Sequence, residues 1–341
     1  MNFFLYLSFL ILFIIFINKL FTKNFFLIST TGDKHQRFAS SDKIPLSGGI
    51  FIYLALVFFY NNDLNIFFFS AFLILILGFF SDLKLIKSAI LRFIIQISIV
   101  TFFVIFNELK IIDTRIILLD GLLENRLFNY LFVAFCILIL INGSNFIDGL
   151  NTLNIGYYIL ISLVIYYLKL NGLIVYQENF VNYLLIILLI VFLINALNKF
   201  YLGDSGSYVL GFIFSILLIE IYYQNSQLSP FFIILLLWYP CFETLFSIVR
   251  KNFVKKSPML PDTNHLHQLV FLYIKKKYKL KLFYSNIISA NIINLYNALI
   301  FFIVVKHASN SQIQIFFILL NLFLYTAIYF KIRFYKSRNL L

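Results

Sequence analysis

The chain is poor in charge. Only 12% of its 341 residues are Asp, Glu, Lys or Arg, about half the share found in soluble domains. So little polar surface cannot coat a water-soluble globule, and it excludes a highly charged disordered chain. Twelve glycines and five prolines are too few for collagen or a low-complexity linker. The two cysteines, Cys136 and Cys241, sit inside apolar runs. They exclude a disulfide-stapled scaffold, have no metal-ligand spacing, and read as packing residues. What is abundant is apolar side chain: 62% of residues, 45 of them Phe, with a mean hydropathy of +0.94. That composition predicts an all-α, polytopic membrane bundle.

A spanning helix needs about 20 mostly apolar residues. Candidate spans lie near 3–20, 47–60, 64–80, 90–106, 127–143, 154–170, 181–198, 206–223, 230–250, 283–305 and 313–331, eleven in all. The first has no basic residue before it and no small-residue cleavage site, and Lys19 and Lys23 follow it. It reads as a retained helix with its N-terminus outside, not as a signal peptide. Of the 27 Lys and Arg, 22 then fall in or beside one set of alternate loops. The other set holds five: Lys110, Arg115, Arg126, Lys169 and Lys306. The positive-inside rule puts the rich set, and the C-terminus, in the cytoplasm. The net charge of +13 therefore points to loops facing anionic lipid, not to nucleic acid. The longest external loop, 107–126, has Ile-rich runs broken by Asp120-Gly121, which predicts a small hairpin. No soluble domain or internal repeat is visible.

The unusual polar residues cluster at the cytoplasmic ends of spans, where charge is costly and signals function. In INGSNFIDGLN (141–151), Asn142, Asn145 and Asp148 recur every three residues and share roughly one helical face; a polar helix end closed by Gly149 would look similar. In KFYLGDSGSYVLGF (199–212), Asp204 lies between two glycines before an apolar helix. A carboxylate beside free backbone N–H groups suits Mg²⁺ with phosphate, although Asp204 or Ser205 could simply cap that helix. GDSG also resembles the serine-protease nucleophile motif, but nothing else in the chain fits a protease. Asp82 sits where a helix emerges, followed by Lys84, Lys87 and Arg92, and the loop DKHQRFASSDKIPLSGG (33–49) holds Lys34, His35, Arg37 and Lys43. Either loop could be an ordinary solvated one. His265 and His267 are two apart in PDTNHLHQL. On a helix they would point to nearly opposite sides, and no third zinc ligand is visible, so phosphate or base recognition suits them better. Together these groups predict metal-assisted phosphoryl chemistry at the cytoplasmic interface, on a substrate partly in lipid.

The motifs NxxNxxDG at 142–149 and GDSGS at 203–207, the His-Leu-His stretch, KHQ…P…GG at 34–49 and the Asp82 loop occur in one order along nearly the whole chain. In this the chain resembles the polyprenyl-phosphate N-acetylhexosamine-1-phosphate transferases, which include the phospho-MurNAc-pentapeptide and GlcNAc-1-phosphate transferases. The resemblance implies a single transmembrane domain over residues 1–341, with a cytoplasmic cleft in the bacterial plasma membrane. It implies attack of undecaprenyl phosphate on the β-phosphorus of a UDP-N-acetylhexosamine such as UDP-N-acetylglucosamine, with loss of UMP. The cofactor would be Mg²⁺, with Mn²⁺ as a second fit. Asp204 and Asp148 would hold the metal, and Asp82 would act on or near the lipid phosphate as base or orienting carboxylate. Asn142, Asn145 and Asn151 would line the nucleotide-sugar site. His265 and His267 would hold its phosphates, and Lys34, His35 and Lys43 would bind phosphate. Relatives often form dimers, so a homodimer is expected on that ground alone.

Two departures stand out. The family's usual Asp-Asp pair is Ser81-Asp82 here, and the second Asp of its DGxDG is Asn151. Gln268 replaces a third histidine, which favours the O-antigen or capsule branch over the peptidoglycan branch. The rival classes are a transporter or lipid flippase, for which Glu243 near Pro240 is the one mid-span charge that speaks, and a scaffold protein. Neither predicts Mg²⁺-dependent release of UMP.

Overall fold

The computed structural model describes residues 3–23, 27–28, 44–59, 65–176, 178–255 and 263–337. Lys34, His35 and Lys43 lie outside the described residues. Among those described the structure is helical, with one isolated bridge between Ile28 and Pro45 and no strand. The helices are α1 (Phe3–Lys23), α2 (Gly48–Phe59), α3 (Asn65–Asp82), α4 (Ala89–Phe106), α5 (Ile117–Leu123), α6 (Arg126–Ile147) and α7 (Leu153–Leu170). There follow α8 (Glu178–Ala196), α9 (Gly203–Gln224), α10 (Pro230–Leu236), α11 (Trp238–Phe253), α12 (Leu266–Tyr278), α13 (Leu282–Val304) and α14 (Ser311–Ser337).

Each of the eleven apolar stretches holds a helix among its described residues. Seven described helices are long and apolar enough to cross a membrane alone, and α10 with α11 makes an eighth span bent by 74°. The bend falls just ahead of Pro240, which lacks the N–H that would continue the helical ladder backwards. α2 and α3 are shorter apolar helices. The chain is an all-α, multi-pass membrane protein.

The expected hairpin in 107–126 is not there. Residues Ile117–Leu123 form α5, with Asp120-Gly121 inside it. Asp120 Oδ1 accepts from the Thr114 backbone N–H at 2.7 Å and the Thr114 hydroxyl at 2.5 Å. That local side-chain bonding gives the backbone an alternative to a strand ladder.

α9 is the centre of the bundle. Its spanning window is 94% buried, against 22% for α4 and for α14. α6, α3 and α2 surround it, and α4 and α14 turn Ile94, Phe102, Phe106, Phe316, Phe323 and Phe330 outward. An apolar surface of that extent needs lipid around it. Without a hydrophobic force between helices in lipid, close packing has to hold them. Glycine makes it close at the start of α9: a Cβ on Gly49 would lie 2.4 Å from the Gly206 nitrogen, and one on Gly78 would lie 2.4 Å from Ser205 Cα. The glycines of the GDSGS motif therefore also serve helix contact, and the start of α9 is fixed by the backbones of α2 and α3.

Candidate active site

The start of α9 carries Asp204, and its geometry depends on a residue 122 positions earlier. Gly203 adopts φ +73°, a backbone conformation that suits glycine, and Leu202 at the N-cap offers no side-chain acceptor. Asp82, the last residue of α3, supplies the missing cap. Its Oδ1 accepts from the Asp204 N–H at 2.9 Å and its Oδ2 from the Ser205 N–H at 3.1 Å. A carboxylate there satisfies two orphan donors and complements the positive end of the helix dipole. Both oxygens of Asp82 are thus engaged by backbone, and the residue is 6% exposed.

Asp204 gathers side chains from three other helices. Its Oδ2 accepts from Ser81 Oγ at 2.5 Å and from Arg92 Nη1 at 3.1 Å. Arg92, from the first turn of α4, also donates to Ser81 Oγ. Asp204 Oδ1 accepts from Asn145 Nδ2 at 2.7 Å. Asn145 also donates to Ser207 Oγ at 3.1 Å, and Asn142 donates to Gln96 Oε1 at 3.0 Å. The helical face shared by Asn142 and Asn145 therefore ties α6 to α4 and α9. Ser81 is now explained locally: its hydroxyl donates to Asp204, which a second ionised carboxylate could not do.

Asp148 caps the C-terminus of α6. It is half-buried, and its carboxylate takes no hydrogen bond among the described residues. Burial, and then the neighbouring charges of Asp204 and Asp82, hold its pKa well above the usual carboxylate range. Three carboxylates sharing one helix-end region repel each other. Beside Asp148, His267 packs on Gly149: a Cβ there would stand 2.3 Å from His267 Nε2.

The histidines come together despite their spacing. His265 precedes α12 and His267 lies in its first turn, and the two rings stack at 5.7 Å and 16°. Phe146 lies 5.3 Å from the His265 ring, and Lys251 Nζ sits 6.0 Å over Phe146. Gln268 Oε1 accepts from the His265 N–H at 3.2 Å, so it caps α12 where a third histidine would not. Asn151 is occupied elsewhere. Its side-chain amide donates to Asn195 O at 3.3 Å and to Asn198 Oδ1, and its backbone N–H donates to Asn286 at 2.8 Å. Asn195 and Asn294 in turn hold Thr152, which has φ +67°. Asn151 thus belongs to an asparagine-rich clasp around a strained turn.

The structure brings Asp82, Asp204 and Asn145 into one bonded network, with Asn142 on the same face of α6 bonded to Gln96, and Asp148, His267 and His265 at adjoining helix ends. Arg92 and Glu243 join this assembly without having been assigned a role from sequence. Arg92 carried a signal in the basic run after Asp82, and Glu243 in its cost as a mid-span charge. No group of three or more His, Cys, Asp or Glu with metal-holding geometry occurs among the described residues.

Residues 64–222, which hold Asp82, Arg92, Asn145, Asp148 and Asp204, match the family described as "Glycosyl transferase family 4". Over these residues the chain is similar to that family. The match stops before Glu243, His265 and His267. A "probable undecaprenyl-phosphate N-acetylglucosaminyl 1-phosphate transferase" of Bacillus subtilis (strain 168) is 28% identical over 244 residues, 66% of this chain and 65% of that protein. An "undecaprenyl-phosphate alpha-N-acetylglucosaminyl 1-phosphate transferase" of Thermotoga maritima is 27% identical over 226 residues, 66% of this chain and 67% of that protein. The chain thus spans about two thirds of the length of these relatives.

Proposed function

We propose that the chain transfers an N-acetylhexosamine 1-phosphate from a UDP-sugar to undecaprenyl phosphate, giving the lipid diphosphate sugar and UMP. The observation that carries this reading is Asp204, held between Arg92, Ser81 and Asn145 at the end of a lipid-exposed bundle, with Asp148 and the histidines beside it. Carboxylates and cations at one lipid–water boundary suit a reaction between an anionic lipid headgroup and a soluble nucleotide diphosphate. The two relatives' names give undecaprenyl phosphate and an N-acetylglucosaminyl 1-phosphate group, which agrees with the lipid and the transferred group of this reading. The charge asymmetry of the loops favours a cytoplasmic site in a bacterial plasma membrane.

Magnesium fits the residues present. Mg²⁺ binds through one or two carboxylates, with substrate phosphates and water completing its shell. Asp148, with an open carboxylate among like charges, and Asp204, whose two oxygens have further lone pairs, would hold it. When bound, it would draw electron density from the phosphate oxygens and stabilise charge on departing UMP.

The chain's own residues do the positioning. Arg92 offers a planar guanidinium beside Asp204, suited to phosphate oxygens. Asp82 is the orienting carboxylate rather than the base, because both of its oxygens already hold the backbone of α9. A base is not required: a phosphate monoester has its second pKa near about 6 and is already largely dianionic at neutral pH. The bond from lipid phosphate oxygen to the β-phosphorus forms as the bond to the UMP oxygen breaks. Glu243, the one charge that spoke for a transporter, is instead bonded to His265 and Tyr325.

The test is UMP release by the purified protein with undecaprenyl phosphate, Mg²⁺ and a panel of UDP-N-acetylhexosamines. Release that needs both lipid and Mg²⁺, and stops with EDTA, supports the reading. Folded protein that releases no UMP with any donor overturns it.

A further inference from the structure

Among the described residues Glu243 is the most deeply buried carboxylate, 1% exposed, nearly two turns past the bend of the α10–α11 span. An ionisable group there is costly unless its surroundings repay it. Three donors converge on it from two other elements. Its Oε1 accepts from His265 Nδ1 at 2.9 Å and from the Leu266 N–H at 3.4 Å, and its Oε2 accepts from the Tyr325 hydroxyl at 2.8 Å. Next to them, the Arg250 guanidinium lies over the ring of Tyr329 and bonds its hydroxyl at 3.2 Å. Glu243 thus ties the start of α12 to α11 through an imidazole nitrogen and the Leu266 N–H, and α14 to α11 through the Tyr325 hydroxyl.

A purely structural tie would not need the charge, because a well-packed apolar residue usually does as well in a buried site. What a carboxylate on Nδ1 does is fix the ring. The proton stays on Nδ1, the ring plane is set, and Nε2 is left to meet a ligand. The ring so fixed lies against Phe146 and stacks on His267, whose own ring covers Gly149 beside Asp148.

We infer that Glu243 is a positioning residue for His265, holding it as the Nδ1–H tautomer so that Nε2 addresses the phosphate groups of the sugar nucleotide. This deepens the proposed transferase reading and rests on it for the identity of the ligand, but the Glu243–His265 unit itself can be tested without turnover.

The experiment has a spectroscopic arm and a kinetic arm. In the first, ¹⁵N-histidine-labelled protein in lipid is examined by solid-state NMR. Only four histidines are present, and His265→Ala assigns the signal. Wild type should show the Nδ1–H form at His265. Glu243→Ala should populate the opposite tautomer, and Glu243→Gln, which keeps an acceptor oxygen, should restore the first. In the kinetic arm, Glu243→Ala and His265→Ala should each lower UMP release by about 10- to 100-fold, the scale of a lost hydrogen bond to a charged group. The double variant should be no slower than His265→Ala, and the KM for undecaprenyl phosphate should stay as in wild type. Tyr325→Phe, which removes one donor and leaves the pair, should keep both tautomer and rate within about threefold of wild type, the scale of an ordinary hydrogen bond. If Glu243→Ala does not fold, Glu243→Leu, which removes both acceptor oxygens while filling the site, carries both arms, alone and with His265→Ala, with the same outcomes expected. An unchanged tautomer in Glu243→Ala, or losses that multiply in the double variant, would overturn the inference. An Nδ1–H signal lost on Glu243→Ala in a protein that never releases UMP would keep the dyad and reject the transferase reading.

Discussion

Asp82 is where the sequence and the structure point to different work, and Asp82→Ala separates them. A base or a ligand for lipid phosphate would leave the fold intact when truncated. A cap for α9 would not. The carboxylate accepts two backbone N–H bonds, at 2.9 and 3.1 Å, in a place that is 6% exposed. Hydrogen bonds to charged groups contribute about 1.5–3 kcal/mol each, so losing both costs roughly 3–6 kcal/mol. Two effects reduce that: interhelical polar bonds in membranes average only about 0.6 kcal/mol, and removing one of three neighbouring carboxylates relieves repulsion. A net loss of about 1–4 kcal/mol follows, within the range of a lost buried cap. Asp82→Asn keeps one acceptor and turns an N–H group toward the other backbone N–H, so it should retain about half. The assay is thermal unfolding in a single detergent, read beside UMP release. Both variants should melt earlier than wild type, Ala more than Asn, and activity should fall with stability. An unchanged melting curve with activity gone would refute the cap and restore the chemical role.

Other outcomes follow from the same geometry. Asp204→Asn should cut UMP release by at least 100-fold, the scale of removing a single preorganised electrostatic group, while the protein still inserts and melts within a few degrees of wild type. Gly49→Ala places a methyl 2.4 Å from the Gly206 nitrogen, and forcing two helix backbones apart should cost about 1–3 kcal/mol in unfolding measurements. Gly149→Ala meets the ring of His267 rather than backbone; it should lower activity by displacing that ring while leaving the melting temperature nearly unchanged. Thr114 holds the carboxyl of Asp120 below its ordinary value of 3.8, chiefly through its hydroxyl. That contribution to stability is present above the ordinary value and is lost as pH falls through the lowered one. Thr114→Val should therefore melt earlier than wild type at neutral pH, and the difference should shrink in acid.

The bundle was legible because its signals are coarse. Apolar runs of spanning length mark helices and their order, and each of the eleven stretches holds a helix among its described residues. The hairpin failed because Thr114 and Asp120 close a local turn that pattern reading cannot weigh. In the site, the three-residue spacing of Asn142 and Asn145 was readable, since it depends only on helical period. The work of Asp82 was not: nothing near residue 82 reveals that Leu202 leaves α9 uncapped. The histidines defeated the helical-wheel argument because His265 stands outside α12 as its N-cap, where helical angles do not apply. Asn151 looked like a substrate ligand from its motif, whereas its partners Asn195, Asn198 and Asn286 come from distant segments. Glu243 was visible as an anomaly of cost, but its meaning needed the loop that folds His265 back onto it.

A bundle that joins a sugar phosphate to a lipid phosphate must leave its product in the lipid. The most direct measurement is mass spectrometry of the lipid recovered after incubating the protein with undecaprenyl phosphate, UDP-N-acetylglucosamine and Mg²⁺, beside the Asp204→Asn variant. Wild-type protein should yield a lipid heavier by one N-acetylhexosamine phosphate, and the variant only starting lipid. Unaltered lipid from folded wild-type protein, or the heavier lipid in equal amount from Asp204→Asn, would contradict the transferase reading.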